Sequence, residues 1–324
     1  MRIVVITPVY EDWKSFSRLV HELDRILAES PHPESLQVAV LAVDDGSADA
    51  GPSDASTWSG LKRISRVEIL RLAANMGHQR AIALGAVHVV NANIAEAAVI
   101  MDADGEDKPA DVLRLIDASF ENEEAIVVAG RAKRSESLRF RLGYRIYLFT
   151  FRWLTGHKLP FGNFSLVPWQ ALARLVCNGD IWNHFSAAVS RAQLPVIVIP
   201  ADRGTRYSGR SRMSWVTLAV HGLSAMSVYS DRVAARLIFA SVCITIAALL
   251  AILSVAGIRF LTELAIPGWA SQVVGSLIIV SLVSVVFAAL LAFITLQARQ
   301  QLTFFPKTDG LKYMQRVETW WPQP

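Results

Sequence analysis

Residues 1–200 alternate short apolar runs with stretches whose apolar positions recur every three to four residues. RIVVITPVY is a first apolar run, broken at Pro8. In WKSFSRLVHELDRILAES, Phe16, Leu19, Val20, Leu23, Ile26 and Leu27 make one helical face. LQVAVLAVDDGS reads as a second strand ending in acids and Gly46, and RVEILRLAAN as a third. HQRAIALGAVHVVNA is helical, EAAVIMDADG a fourth strand, PADVLRLIDASFEN a helix with Pro109 near its start, and AIVVAGR a fifth strand. Strands alternating with helices predict an α/β fold, a mostly parallel sheet with helices on both faces.

A different pattern takes over in the last third. Leu237–Ile258 and Val273–Leu296 contain no charged residue. A hydrocarbon core of about 30 Å takes about 20 apolar residues of helix, so each segment predicts a transmembrane helix. Buried core helices of that length carry a polar face, and these do not. Arg232 and Arg236 precede the pair, and Arg299, Lys307, Lys312 and Arg316 follow it. The connecting loop RFLTELAIPGWAS holds only Arg259 and Glu263. The positive-inside bias puts both termini in the cytoplasm and the chain in the cytoplasmic (inner) membrane as a multi-pass protein. Just before the hairpin, Trp215, Leu218, Gly222, Met226 and Tyr229 share one helical face, which predicts an amphipathic helix in the headgroup layer. The expected organisation is a cytosolic α/β domain at 1–212, the interfacial helix at 213–232, two transmembrane helices at 233–298 and a cytosolic tail at 299–324.

Composition agrees with a membrane protein: 52% of residues are hydrophobic and the mean hydropathy is +0.35. The start, MRIVVITPVY, turns polar too soon for a signal peptide. Cys177 and Cys243 stand far apart and imply neither a disulfide framework nor a cysteine metal site. The pI near 9.2 suits a lipid bilayer surface or phosphate ligands. No nucleic-acid recognition module is visible, so nucleic acid is not an expected partner.

In open α/β sheets ligands bind beyond the carboxyl ends of the strands. Those ends carry Thr7, Tyr10 and Glu11; Asp44, Asp45 and Ser47; Asn75; Asp102 and Asp104; and Arg131, which would converge on one cleft. Asp102 and Asp104 would share one side of an extended segment. Two hard oxygen ligands suit Mg²⁺ or Mn²⁺, and Glu106 continues the alternation as a third metal ligand. Neither a dinucleotide G-x-G-x-x-G nor a P-loop is present, so metal and arginine would hold phosphates.

VVITPVYED, VDDGSAD, NMGHQRAIALGAVH, MDADGEDKP and GRAKRSES together resemble the family 2 glycosyltransferases of GT-A (Rossmann-like) fold. Their order resembles the branch that makes polyprenyl-phosphate sugars, which includes dolichyl-phosphate mannose synthases and bacterial relatives with two C-terminal spans. The resemblance covers about residues 1–232. It implies that Pro8, Tyr10, Glu11, Asp44, Asp45, Asn75 and Gln79 line the nucleotide pocket, Gly77 among them, with Asp102 on ribose or metal and Asp104 on the metal. It implies catalytic or acceptor-positioning roles for Asp104, Arg131, Asn163, Arg206 and Arg212. Arg134, Arg206, Ser211 and Arg212 would hold an acceptor phosphate, the family's R-x-x-G-x-S-K/R falling on Arg206, Gly209, Ser211 and Arg212. Relatives carry Gly-Asp-Phe-Arg-Leu where this chain has GNFSL, so Asn163 cannot act as a base. A phosphate monoester needs none, being anionic near neutral pH. His184, in the stretch WNHF, is either a sugar-recognition residue or a structural donor.

The expectation is an inverting, metal-dependent glycosyltransferase that moves one sugar from a nucleotide diphosphate sugar to a polyprenyl (undecaprenyl-type) phosphate. The absence of Q-x-x-R-W argues against processive synthesis. A transferase of the same fold acting on another lipid or glycan, and a catalytically decayed nucleotide-sugar-binding scaffold, are the alternatives. Homo-oligomerisation is left open.

Overall fold

The structure is a computed structural model. It describes residues 1–31, 36–52, 54–131, 138–158, 161–208, 215–262, 268–300 and 304–322. The elements run β1 (Arg2–Val9), α1 (Trp13–Glu29), β2 (Gln37–Asp44), α2 (Ala55–Trp58), β3 (Ile64–Leu72), α3 (His78–Ala92), β4 (Ala97–Ile100), α4 (Pro109–Glu121) and β5 (Ile126–Arg131). Next come α5 (Leu138–Thr155), β6 (Phe161–Pro168), α6 (Trp169–Leu175), α7 (Asp180–Asn183), α8 (Phe185–Arg191) and β7 (Val196–Ala201). The chain ends with α9 (Trp215–Ser227), α10 (Ser230–Leu261), α11 (Trp269–Gln300), α12 (Pro306–Asp309) and β8 (Met314–Trp321).

One eight-stranded sheet has the order β7-β5-β6-β4-β1-β2-β3-β8. β4, β1, β2 and β3 are mutually parallel, β5 and β7 pair in parallel, and β6 and β8 run antiparallel to their neighbours. The expected α/β class is what the structure has. Helices on both faces explain why β1 is apolar throughout rather than alternating. Ile3 and Val5 pack in the core layer with Phe16, Leu19 and Leu23 of α1, and Val4 and Ile6 in the layer with Ile82 and Val89 of α3. The chain leaves β1 toward β2 and β3 on one side and returns to β4 on the other. The β1–β4 boundary is therefore the switch point beside which such sheets bind ligands.

Two compact units emerge. One comprises Met1–Phe140, Leu159–Val228 and Thr303–Pro324; the other comprises Arg141–Lys158 and Tyr229–Leu302. The segment expected as a tail thus returns to the α/β unit. Residues 314–321 pair with β3 as its edge partner, with two register shifts, and bury Trp320 to 3% exposure against Trp13 and Trp58. A free edge on β3 is thereby covered. α9 is confined to Trp215–Ser227, with Gly222 and Ala225 buried and Val220 and Leu223 exposed. In the second unit, α10 and α11 are long and apolar enough to cross a membrane. α5 belongs largely to the same unit and exposes Ile146, Phe149 and Trp153 while burying Phe151.

Candidate active site

The fourth strand stops at Ile100, earlier than its apolar run suggested, and residues 103–107 turn. The acids cause this by bonding their own backbone. The Asp102 N–H donates to Asp107 Oδ2 at 2.9 Å and the Glu106 N–H to Asp104 Oδ1 at 2.9 Å. The extended geometry expected for Asp102-Ala103-Asp104 is replaced by this turn. The alternation survives it: Met101, Ala103 and Gly105 are buried, while Asp102, Asp104 and Glu106 are half-buried on the other side.

The loop after β7 lies directly on this turn. The Gly204 N–H donates to the Glu106 carbonyl at 2.8 Å, and the Tyr207 N–H to the Asp104 carbonyl at 2.7 Å. Such closeness requires two glycines. Gly105 sits at φ +87°, and a Cβ there would fall 2.8 Å from the Tyr207 ring. A Cβ on Gly204 would overlap the Gly105 carbonyl oxygen. The loop delivers two arginines. Arg206 Nη2 is 2.6 Å from Asp104 Oδ2 and 3.5 Å from Glu106 Oε1, and Arg203 pairs with Glu106. Burial raises the pKa of Asp104, helped by Asp102 and Glu106 and opposed by the Glu106 N–H and Arg206. Burial also acts against the Glu106 carboxylate, but Arg203 and Arg206 outweigh it and hold that pKa low. The opposite directions follow from sharing: Asp104 has one arginine and two like charges, Glu106 two arginines.

Metal chemistry fits Asp102 and Asp104 better than Glu106. Asp102 Oδ1 is buried without a hydrogen-bond partner among the described residues, and Asp104 is strained as an anion. Among the described residues, no three His, Cys, Asp or Glu side chains are grouped to hold a metal ion, and Glu106 is turned to the arginines. Two carboxylates suffice for a cation that completes its shell with water and phosphate.

The other strand-end residues are placed at β2 and β3. Asp45, 4% exposed, accepts N–H bonds from Met76 at 2.6 Å and Gly77 at 2.9 Å, which fixes the turn into α3. Burial raises its pKa against those two bonds. Asp44 Oδ2 pairs with Arg71 Nη1 at 2.8 Å and its Oδ1 accepts the Ser47 N–H at 3.0 Å. Glu11 adopts φ +53° and donates its N–H to Ser47 Oγ at 2.9 Å. Pro8 is half-buried, and Tyr10 and Asn75 are exposed on the same carboxyl edge.

Asn163 sits on β6 at 9% exposure in a chain whose direction is forced. The Phe185 N–H donates to Gln79 Oε1 at 2.7 Å, so Gln79 Nε2 donates to Asn163 Oδ1 at 3.4 Å. Asn163 Nδ2 then donates to His78 Nε2 at 3.1 Å. His78 Nε2, accepting that bond, has no proton for Asp102 Oδ1 3.3 Å away. This is why Asp102 Oδ1 is left without a hydrogen bond. His184 serves structure: its Nδ1 accepts the Ala187 N–H at 3.4 Å as the cap of α8, and its Nε2 meets His221 Nε2 at 3.2 Å. Burial, with His221 and His78, drives its pKa down to about 3.

Of Arg131, only the backbone place at the end of β5 is described. Arg134, Ser211 and Arg212 lie outside the described residues.

The sequence profile described as glycosyl transferase family 2 matches residues 4–174. The chain belongs to glycosyl transferase family 2. This family 2 chain is 20% identical over 288 residues to the uncharacterized glycosyltransferase YkcC of Bacillus subtilis (strain 168), covering 88% of this chain and 86% of YkcC. Among solved structures it is similar to S. aureus TarS 1-349, with 15% identity, TM-score 0.40, 61% of this chain and 58% of that one, so it spans under two thirds of TarS. It is also similar to glucosyl-3-phosphoglycerate synthase of Mycobacterium tuberculosis, solved with Mn2+, UDP-glucose and phosphoglyceric acid, with 12% identity, TM-score 0.48, 71% of this chain and 79% of that one.

Three site residues of this family 2 transferase escaped the sequence reading. Arg203 lies just upstream of the motif that begins at Arg206. His78 stands inside NMGHQR, where nothing local signals a role. Arg71 is a cation set between Leu70 and Leu72 at the end of the strand RVEILRL, which was the available signal.

Proposed function

We propose that this transferase moves a single sugar from a nucleotide diphosphate sugar to a polyprenyl phosphate at the cytoplasmic face of the membrane, with inversion at the anomeric carbon. The observation that carries the reading is the arginine loop laid on the acidic turn, Arg206 on Asp104 and Arg203 on Glu106, in a chain with two apolar helices long enough to span a bilayer. Arginine forks suit phosphate oxygens as well as carboxylates. Asp102 and Asp104 would hold a divalent cation, which when bound neutralises the diphosphate. Arg203 and Arg206, released from the carboxylates, would bind phosphate oxygens, joined by Arg131, Arg134, Ser211 and Arg212. An acceptor phosphate oxygen forms the new bond to C1 as the bond from C1 to the donor diphosphate breaks. The nucleoside diphosphate leaves with the electron pair. Asn163 positions rather than deprotonates, because its amide is committed to Gln79 and His78.

Topology supports the cytoplasmic side. The chain leaves the α/β unit after Val228, and the segment beyond the two apolar helices belongs to that unit again, which supports both outer ends of the pair lying on one side of a bilayer. The basic residues flanking those ends support the cytoplasm as that side. The exposed Ile146, Phe149 and Trp153 of α5, beside Arg145 and Arg152, suit the headgroup layer. α9, at 215–227 within the expected 213–232, would suit the headgroup layer by its own apolar face.

The test is reconstitution of the full chain in liposomes with polyprenyl phosphate and a panel of labelled nucleotide sugars plus Mg²⁺ or Mn²⁺. A mild-acid-labile glycolipid bearing one sugar is expected. Label appearing only on other lipids or glycans would overturn the acceptor.

A further inference from the structure

Asp44, Ser47 and Arg71 at the carboxyl edge of β2 and β3 surround a cavity whose remaining wall is Gln315 and Arg316 of β8. These two residues come from beyond both apolar helices. Their placement is fixed. Arg316 is in register with Arg71 and Met314 with Leu72, and the register shifts between them, where Gln315 projects. Arg71 Nη2 reaches Glu318 at 3.1 Å, and Arg316 Nε reaches it at 2.6 Å, so β8 is pinned against β3 from its solvent side. Arg71 also spans the Trp13 and Trp320 rings at 5.4 and 5.6 Å.

The cavity is rich in hydrogen-bond donors. Asp44, its carboxylate, is already engaged by Arg71 and the Ser47 N–H. Arg71 is 7% exposed, yet its Nε–H is buried with no partner among the described residues. Among the described residues Arg316 keeps its terminal nitrogens, since only its Nε is bonded to Glu318, and Gln315 is exposed with no partner for its amide. An unpartnered buried donor is costly in a folded protein unless a ligand supplies an acceptor. Neighbouring strands are about 4.8 Å apart, so β2 and β3 stand about 10 and 14 Å from β4 and its acidic turn. A nucleoside whose phosphates lie at that turn bridges this span.

We propose that β8 is the base-reading wall of the donor site. Gln315, Arg316 and the Arg71 Nε–H select a nucleobase that presents carbonyl oxygens, as uracil and guanine do, over one that presents an amino group in the same place, as cytosine and adenine do. This rests on the nucleotide-sugar reading of the site.

Titration calorimetry on the full chain in detergent with UDP, GDP, CDP, ADP and inorganic diphosphate tests it. Wild type is expected to bind UDP or GDP more tightly than CDP and ADP. Arg316→Ala and Gln315→Ala should each weaken the preferred nucleotide about tenfold, the value of one good hydrogen bond, and leave inorganic diphosphate affinity unchanged. Gln315→Glu, which exchanges donor for acceptor at an exposed position, should shift preference toward the amino-bearing bases. Unaltered nucleotide affinities and ranking in all three variants would overturn the assignment to β8. Failure of wild type to bind any nucleoside diphosphate would overturn the donor reading itself, and this inference with it.

Discussion

Gly204→Ala separates the loop that carries Arg203 and Arg206 from the turn that carries Asp104 and Glu106. The added Cβ overlaps the Gly105 carbonyl oxygen, a backbone atom that cannot rotate away, and crowds the Lys108 side chain at 3.2 Å. The loop must lift, which breaks the Gly204 N–H to Glu106 and Tyr207 N–H to Asp104 bonds. At about 1 kcal/mol each, the docked loop loses about 2 kcal/mol. That is about a thirtyfold fall in its population. The sheet and both core layers are untouched, so the thermal midpoint should hold while the transfer rate drops by an order of magnitude or more. Gly60→Ala is the control, because its Cβ meets nothing within 4 Å. Initial rates of sugar transfer in liposomes, beside a melting curve for each variant, read the two effects apart. A Gly204→Ala protein that turns over at the wild-type rate would refute the idea that this loop completes the site.

Trp320→Ala empties a position that packs on Trp13 and Trp58 at 3% exposure and should cost about 3–5 kcal/mol in chemical denaturation; a wild-type midpoint would mean β8 contributes no stability. His184, neutral in the fold with its pKa at about 3, contributes stability above the ordinary histidine value near 6.5 and loses it as pH falls below that value. Between pH 6.5 and 4.5 one such group removes about 2–3 kcal/mol. His184→Asn, which keeps a capping oxygen, should flatten the acid limb of a stability–pH curve, and an unchanged limb would contradict this. Asn163→Asp removes the amide donor, so His78 must carry its proton on Nε2 instead of Nδ1; ¹⁵N shifts of His78 read the tautomer, and no change would break the hydrogen-bond chain drawn from Phe185.

Local pattern was enough to read most elements. The helical face from Phe16 to Leu27 became α1, and HQRAIALGAVHVVNA coincides with α3. The charge-free runs fall inside α10 and α11. Local pattern failed where distant segments decide. β8 pairs with β3 across more than two hundred residues and two long apolar helices, and nothing in MQRVETWW says which edge it joins. β4 ends early because Asp104 and Asp107 bond their own backbone, which the periodicity of apolar residues does not register. Arg203 matters through a close approach that Gly105 and Gly204 permit, and a motif written around Arg206 omits all three. The common placement of the strand-end residues was legible because the parallel sheet gathers those ends at one edge.

The most direct test of the central claim is single-turnover transfer from a labelled nucleotide sugar to polyprenyl phosphate in sealed liposomes, comparing wild type with Arg206→Ala. Wild type should form one monoglycosylated, mild-acid-labile lipid, and Arg206→Ala should lose at least tenfold in rate while keeping its melting temperature. Glycolipid formed equally fast by both proteins, or none formed by wild type with any nucleotide sugar, would contradict the account.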